Sequence, residues 1–176
     1  AHIALEAALT GHLLLSTLHT NHAAATIIRF TEMGIEPFLI SNSIVMICAQ
    51  RLVRELCAAC KIPYRPPVAE RELVGLSPHF TGTLYRPKGC DSCNQIGYKG
   101  RLGVHELLVP NDTMRKAINQ KGITAEALKQ LAVEECGMTT LYWDAMEKVA
   151  QGMTSVEEVL SKIQPDEFDN QPPWNK

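Results

Sequence analysis

Four of the six cysteines stand in two Cys-x-x-Cys pairs, Cys57 with Cys60 and Cys90 with Cys93. Each pair brings two thiolates close enough to share one small ion, and two pairs complete the tetrahedral four-sulfur set that zinc prefers. Four protein ligands leave no position for water, so such a site is structural. The 29 residues between Cys60 and Cys90 exceed the spacing of compact zinc ribbons and predict a looped insertion. Gly97, just after Cys93, suits a backbone that turns its N–H groups onto the sulfurs. Lys61 and Arg54 are placed to offset thiolate charge. Two other chemistries stay open for these residues. A redox dithiol needs one pair at a helix start beside a strand, and a double disulfide needs an oxidising compartment. Cys48 and Cys136 read as small core residues on apolar helical faces.

Positioning four sulfurs falls to the elements around them. Residues 1–9 are strong helix formers and Thr10-Gly11 ends them. Residues 12–18, HLLLSTL, form a continuous apolar run that predicts a strand buried on both faces. Asn21 is the expected cap of a helix running to about Met33, with Gly34 as its stop. Pro37 opens another, whose Phe38, Val45, Cys48, Leu52 and Leu56 share one face and lead into Cys57. The stretch between the cysteine pairs is Pro-rich and irregular, with too few apolar residues to hold itself without a metal.

After Cys93 a glycine turn feeds a strand over 104–109, which Pro110 terminates. Four helices follow. Asn111 or Asp112 starts the first and Gly122 ends it. Thr124 starts the second, with Leu128, Leu131, Ala132 and Cys136 inward and Gly137 at its end. Thr140 starts the third. Thr154 with Glu157 forms a capping box for the fourth, which carries Val156, Val159, Leu160 and Ile163. The polar, Pro-rich end over 164–176 predicts disorder.

Composition narrows the class. A hydrophobic fraction of 45% and a charged fraction of 20% are those of a folded chain, which excludes a disordered one. No apolar run approaches the roughly 20 residues of a membrane-spanning helix, and the start AHIALEAALTGH has no signal-peptide pattern. A cytosolic setting is therefore the default, where paired thiols bind metal or do redox work. Residues 51–101 carry nine bases and four acids, net +5, whereas 102–176 carry seven and twelve, net −5. The basic block coincides with the cysteine segment. Its aromatics Tyr64, Phe80, Tyr85 and Tyr98 form no stacking pattern, which argues against specific nucleic-acid binding.

A second candidate chemistry lies in TGHLLLSTLHTN, with His12 and His19 at either end of the apolar run. That string, with MGIEPFLI, AQRLVREL before the first cysteine pair, GYKGRLGVHELL after the second, and GMTTLYWDAMEKVAQGMTSVEEVL, resembles the secretion ATPases of type II secretion and type IV pilus assembly. The resemblance runs from residue 1 to about 163. It implies an α/β, RecA-like P-loop NTPase core and a hexameric ring at the cytoplasmic face of the inner membrane. ATP hydrolysis there drives pilin or pseudopilin assembly, with Mg as the nucleotide's metal and an inner-membrane platform protein as partner. Within that pattern TGHLLLSTLHTN is similar to the family's histidine box. This implies a phosphate-positioning role for His19, and with it His12. Arg51 is implied as a contact to nucleotide or to a neighbouring subunit, with a surface ion pair as the alternative. Cys57, Cys60, Cys90 and Cys93 match the tetracysteine zinc segment of assembly-type members. His22 stands where the family commonly has an acidic residue, and Asn21 is the expected substitute cap.

The implied organisation is core over 1–56, zinc subdomain over 57–100, a returning strand over 101–110, a helical lobe over 111–163 and the tail. No G-x-x-x-x-G-K-[ST] string is present, since GTLYRPKG and GYKGRLG lack its lysine–hydroxyl ending. The chain is thus expected to be the C-terminal part of a longer motor and inactive alone. The alternative is a self-standing zinc-stabilised module that docks an inner-membrane platform protein.

Overall fold

A computed structural model describes residues 2–77 and 80–165. Its elements in chain order are helices α1 (His2–Leu9), α2 (Ala23–Glu32) and α3 (Pro37–Ser43), strands β1 (Ile47–Leu56) and β2 (Ile62–Tyr64), helix α4 (Val68–Leu73) and strands β3 (Leu84–Arg86) and β4 (Tyr98–Leu108). Helices α5 (Asp112–Ile118), α6 (Ala125–Cys136), α7 (Leu141–Ala150) and α8 (Val156–Lys162) complete it. The result is mixed α/β, with two small sheets that pair β1 with β4 and β2 with β3. Two compact units interleave along the chain. Among the described residues, one takes in those up to Ala49 and Glu106–Thr140, the other those from Gln50 to His105 and those from Leu141 on. The division falls inside both β1 and β4.

In the first unit α2 packs on α6, and α5 packs on α3 and α6. The faces that meet are those the helical periods select: Ala23, Ala24 and Ile27 of α2, Leu128 and Ala132 of α6, Met114 and Ile118 of α5, and Ile40 of α3. Helix ends are secured by side chains. The Arg115 guanidinium donates to the carbonyls of Ser41 and Ile44 at the end of α3, and Asn119 Nδ2 donates to Ser41 Oγ at 3.0 Å. Those carbonyls have no partner within their own helix. Asn111 and Thr124 cap α5 and α6 as expected, and Gly137 at φ 67° closes α6.

In the second unit the β2–β3 hairpin pairs antiparallel, with Ile62 opposite Arg86 and Tyr64 opposite Leu84. Val74, Leu76 and Leu84 are buried beside it, and Tyr142 of α7 donates its hydroxyl to the Val74 carbonyl at 3.2 Å. The inter-pair stretch therefore has regular elements and a small buried cluster against α7, contrary to the irregular loop expected. Helix α7 buries Trp143, Met146 and Val149. The α7–α8 turn lies along β1. Leu56 N–H donates to the Met153 carbonyl at 2.8 Å, and Thr154 Oγ1 to the Arg54 carbonyl at 2.8 Å.

Four expectations fail for physical reasons. Residues 12–18 make no strand: they have no regular structure, and Leu13 and Leu15 are 84% and 92% exposed. An apolar run becomes a strand only against a ladder partner, and among the described residues it has none. The helix expected to run from Pro37 into Cys57 stops at Ser43 and gives way to β1. From Ile47 to Val53 the odd residues turn inward and the even ones outward, a period of two rather than 3.6. Cys48 is consequently exposed on a strand, not buried on a helix, and Arg51 sits half-buried in β1. The α2 cap is His22, not Asn21: its Nδ1 accepts the Ala25 N–H at 3.3 Å. The α8 cap is Ser155, not Thr154, and the third helical residue is Glu158 rather than Glu157. The strand expected over 104–109 is present but begins at Tyr98. The predicted disorder falls mainly on 166–176, outside the described residues.

Candidate metal centre and the histidine segment

β1 delivers Cys57 at its end, where the chain turns tightly. The N–H groups of Cys60 and Lys61 both donate to the Cys57 carbonyl, at 3.1 and 3.0 Å. Cys57 N–H donates in turn to the Gly97 carbonyl at 3.0 Å, which ties the first cysteine turn to the second. There Cys90 precedes a single 3-10 turn, Asp91–Cys93, and Asn94 and Gln95 at φ 52° and 64° fold the chain back into β4. Both turns aim their sulfurs at one point. All four Sγ atoms lie within 4.8 Å of one another, with Cys57–Cys90, Cys60–Cys93 and Cys90–Cys93 at 3.9, 3.8 and 3.8 Å. Four sulfurs placed tetrahedrally about 2.3 Å from an ion stand about 3.8 Å apart. The set fits a zinc ion, and the thiols are not joined as disulfides.

Backbone amides complete the cradle. Cys93 Sγ accepts the N–H groups of Cys90 at 3.3 Å and Gly97 at 3.2 Å. Burial pushes the Cys93 thiol up, but these two donors, together with the Cys90 and Cys60 side chains, outweigh it and bring it down to about 6. Burial pushes Cys60 up to about 11 against a bond from the Gly89 N–H, with the neighbouring sulfurs adding to the rise. Lys61 and Arg54, the expected counter-charges, bond to other groups. Lys61 Nζ donates to the Gly152 carbonyl at 2.7 Å and lies 4.5 Å from the Tyr85 ring centroid. Arg54 lies over Tyr98 at 4.1 Å and pairs with Glu158.

Gly97 is required twice, by its φ of 82° and because a Cβ there would stand 2.5 Å from Pro87 Cβ. Gly97→Ala should move the N–H off Cys93 and weaken zinc binding about 10- to 100-fold. Competition against a chromophoric chelator measures this, and an unchanged affinity would remove Gly97 from the site.

The histidines fall in the other unit. His12 is exposed at the end of α1, with Nδ1 3.0 Å from Thr10 Oγ1 and its N–H on the Ala7 carbonyl at 3.3 Å. His19 is exposed too, but the residue after it is anchored: Thr20 Oγ1 lies 2.9 Å from Thr26 Oγ1 on α2. No His, Asp or Glu joins the four cysteines as a ligand group among the described residues.

Two buried carboxylates escaped the sequence reading, though each left a signal. Glu106 is fully buried and accepts the Ala23 N–H at 2.7 Å, with Lys129 Nζ at 4.0 Å. It lies in phase with the buried Val104 and Leu108, so strand alternation alone turns it inward. Glu158 is also buried, accepting the Arg54 backbone N–H at 3.0 Å and Nε at 2.8 Å. Ser155-Val-Glu-Glu158 is a capping-box spacing one residue on from Thr154 with Glu157.

Comparison with known proteins agrees with the sequence pattern. A family profile described as "Type II/IV secretion system protein" matches residues 1–161. The chain is 48% identical over 160 residues to type II secretion system protein E of Pseudomonas aeruginosa, covering 91% of this chain and 31% of that protein. It is 47% identical over 164 residues to the type IV pilus assembly ATPase PilB of Thermus thermophilus, covering 92% of this chain and 18% of the relative. The corresponding PilB of Myxococcus xanthus is 44% identical over 172 residues, with 96% and 30% covered. The chain thus spans about a third or less of these relatives. No helix among the described residues is long and apolar enough to cross a membrane.

Proposed function

We propose, since this chain belongs to the type II/IV secretion system protein family, that it is the C-terminal part of a traffic ATPase that couples ATP hydrolysis to pilin or pseudopilin assembly. The observation that carries this reading is the match over nearly the whole chain to both secretion and pilus ATPases. In it residues 1–56 and the strand over 101–110 belong to a RecA-like core, with 57–100 as the zinc segment and 111–163 as helices that follow. The exposed Leu13 and Leu15 support that view, since they would be covered once residues 12–18 lie in a larger sheet. His19, with His12 behind it, faces the nucleotide phosphates, and Arg51 contacts nucleotide or a neighbouring subunit. Cys57, Cys60, Cys90 and Cys93 hold zinc, which supplies a fixed cross-link and no reaction chemistry. ATP and Mg bind in the complete hexamer, which works at the cytoplasmic face of the inner membrane against a platform protein.

Exchanging this chain for the matching segment of the Pseudomonas aeruginosa protein tests the reading. The chimera should keep ATP turnover within about tenfold of its parent, a difference of roughly 1.4 kcal/mol in the barrier, and the 176 residues alone should show none. A folded, zinc-loaded chimera without turnover, or hydrolysis by the isolated chain, would overturn it.

A further inference from the structure

We propose that Glu106 is a positioning residue for His19, its buried carboxylate holding the first turn of α2 and so fixing the backbone that presents the imidazole. The proposal rests on the phosphate-facing role of His19 given above.

The case begins with the helix itself. α2 has no acidic residue in its first turn, and the positive end of a helix favours a negative charge there. Local capping is already supplied, because His22 Nδ1 accepts the Ala25 N–H. Glu106 adds a second, non-local bond, reaching the Ala23 N–H from 83 residues away at 2.7 Å. A helix needs no such partner merely to form; a local side chain is sufficient. A carboxylate taken fully out of water is costly to keep, and here it is compensated by an amide and by Lys129 of α6. What this arrangement adds is placement: it locks the α2 start to β4 and α6.

His19 stands four residues before the bonded amide. The exposed imidazole has no burial to hold it, so its position follows from its backbone. That backbone is tied down immediately afterwards, by Thr20 to Thr26 and by Glu106 to Ala23. Upstream, residues 13–18 have no regular structure to contribute. Loosening the α2 start therefore moves His19 before it disturbs the helical core, where Ile27, Leu128 and Ala132 remain packed.

The test is steady-state ATP turnover of the full-length ATPase that carries this chain. Glu106→Gln keeps the shape and removes the charge. It should lower kcat at least tenfold with KM for ATP within about twofold, because positioning acts in the transition state. Asn111→Ala, which removes the α5 cap, should leave both unchanged and serves as the control for a merely structural loss. His19→Ala combined with Glu106→Gln should be no slower than His19→Ala alone. Should Glu106→Gln fail to fold, Glu106→Asp, which draws the charge back by one methylene, carries the same measurement. A folded Glu106 variant with normal kcat, or losses that multiply in the double variant, would overturn the proposal and leave the reading of His19 intact. Full turnover in His19→Ala would overturn both.

Discussion

Cys90→Ser will abolish zinc binding and unfold the cysteine turns while the α2–α6 packing survives. Wild-type protein should carry one zinc per chain and the variant none. Zinc sites of this kind contribute about 10–16 kcal/mol in small fingers that have no other core. Here Val74, Leu76 and Leu84 are buried as well, so the hairpin region should loosen rather than vanish. Amides of residues 57–61 and 89–97 should exchange quickly after chelation, including the Cys57 N–H that now donates to Gly97. Those of α2 and α6 belong to the other compact unit and should change little. The redox and disulfide alternatives are tested by the same sample. Thiols that alkylate freely before chelator is added, with no metal by elemental analysis, would reject the zinc site.

Arg54→Ala should have the second largest effect. Glu158 is 1% exposed in its side chain, and Arg54 supplies both its backbone N–H and its guanidinium. Removing one partner of a buried pair costs about 3–5 kcal/mol. Arg54 is itself 48% exposed and its backbone N–H survives the substitution, so about 2–3 kcal/mol is the expected loss. That corresponds to a fall of about 10 °C in Tm for a unit of this size. The pH dependence has a definite sign. Burial pushes the Glu158 carboxyl up, but the bonds and charge of Arg54 outweigh it and hold it below the ordinary carboxylate range. A carboxyl lowered on folding stabilises the protein above its unfolded pKa of about 4.3, and that stability is lost as pH falls through the lower folded value. Arg54→Ala should therefore lose most stability near neutrality and approach wild type in acid. A loss of equal size at pH 3 and pH 7 would assign the effect to packing against Tyr98 instead.

The amino-acid sequence by itself determined what local chemistry dictates. Two Cys-x-x-Cys turns, the caps at Asn111 and Thr124 and the stop at Gly137 depend on residues a few positions apart, and the structure places each where the pattern did. Family membership was equally legible, because it lies in strings of residues rather than in their contacts. Tertiary structure decided whatever depends on a partner distant in the chain. Cys48, Leu52 and Leu56 fit a helical face, while residues 47–53 also fit a strand; pairing with β4 settled it as a strand and put Cys48 outside. The run at 12–18 has the composition of a buried strand and no neighbour to bond. Strand phase turns Glu106 inward, but the groups that compensate it and Glu158, at Ala23 and Arg54, come from 83 and 104 residues away. A charge enters a protein interior when its counterpart is brought there, and sequence spacing carries no record of that meeting.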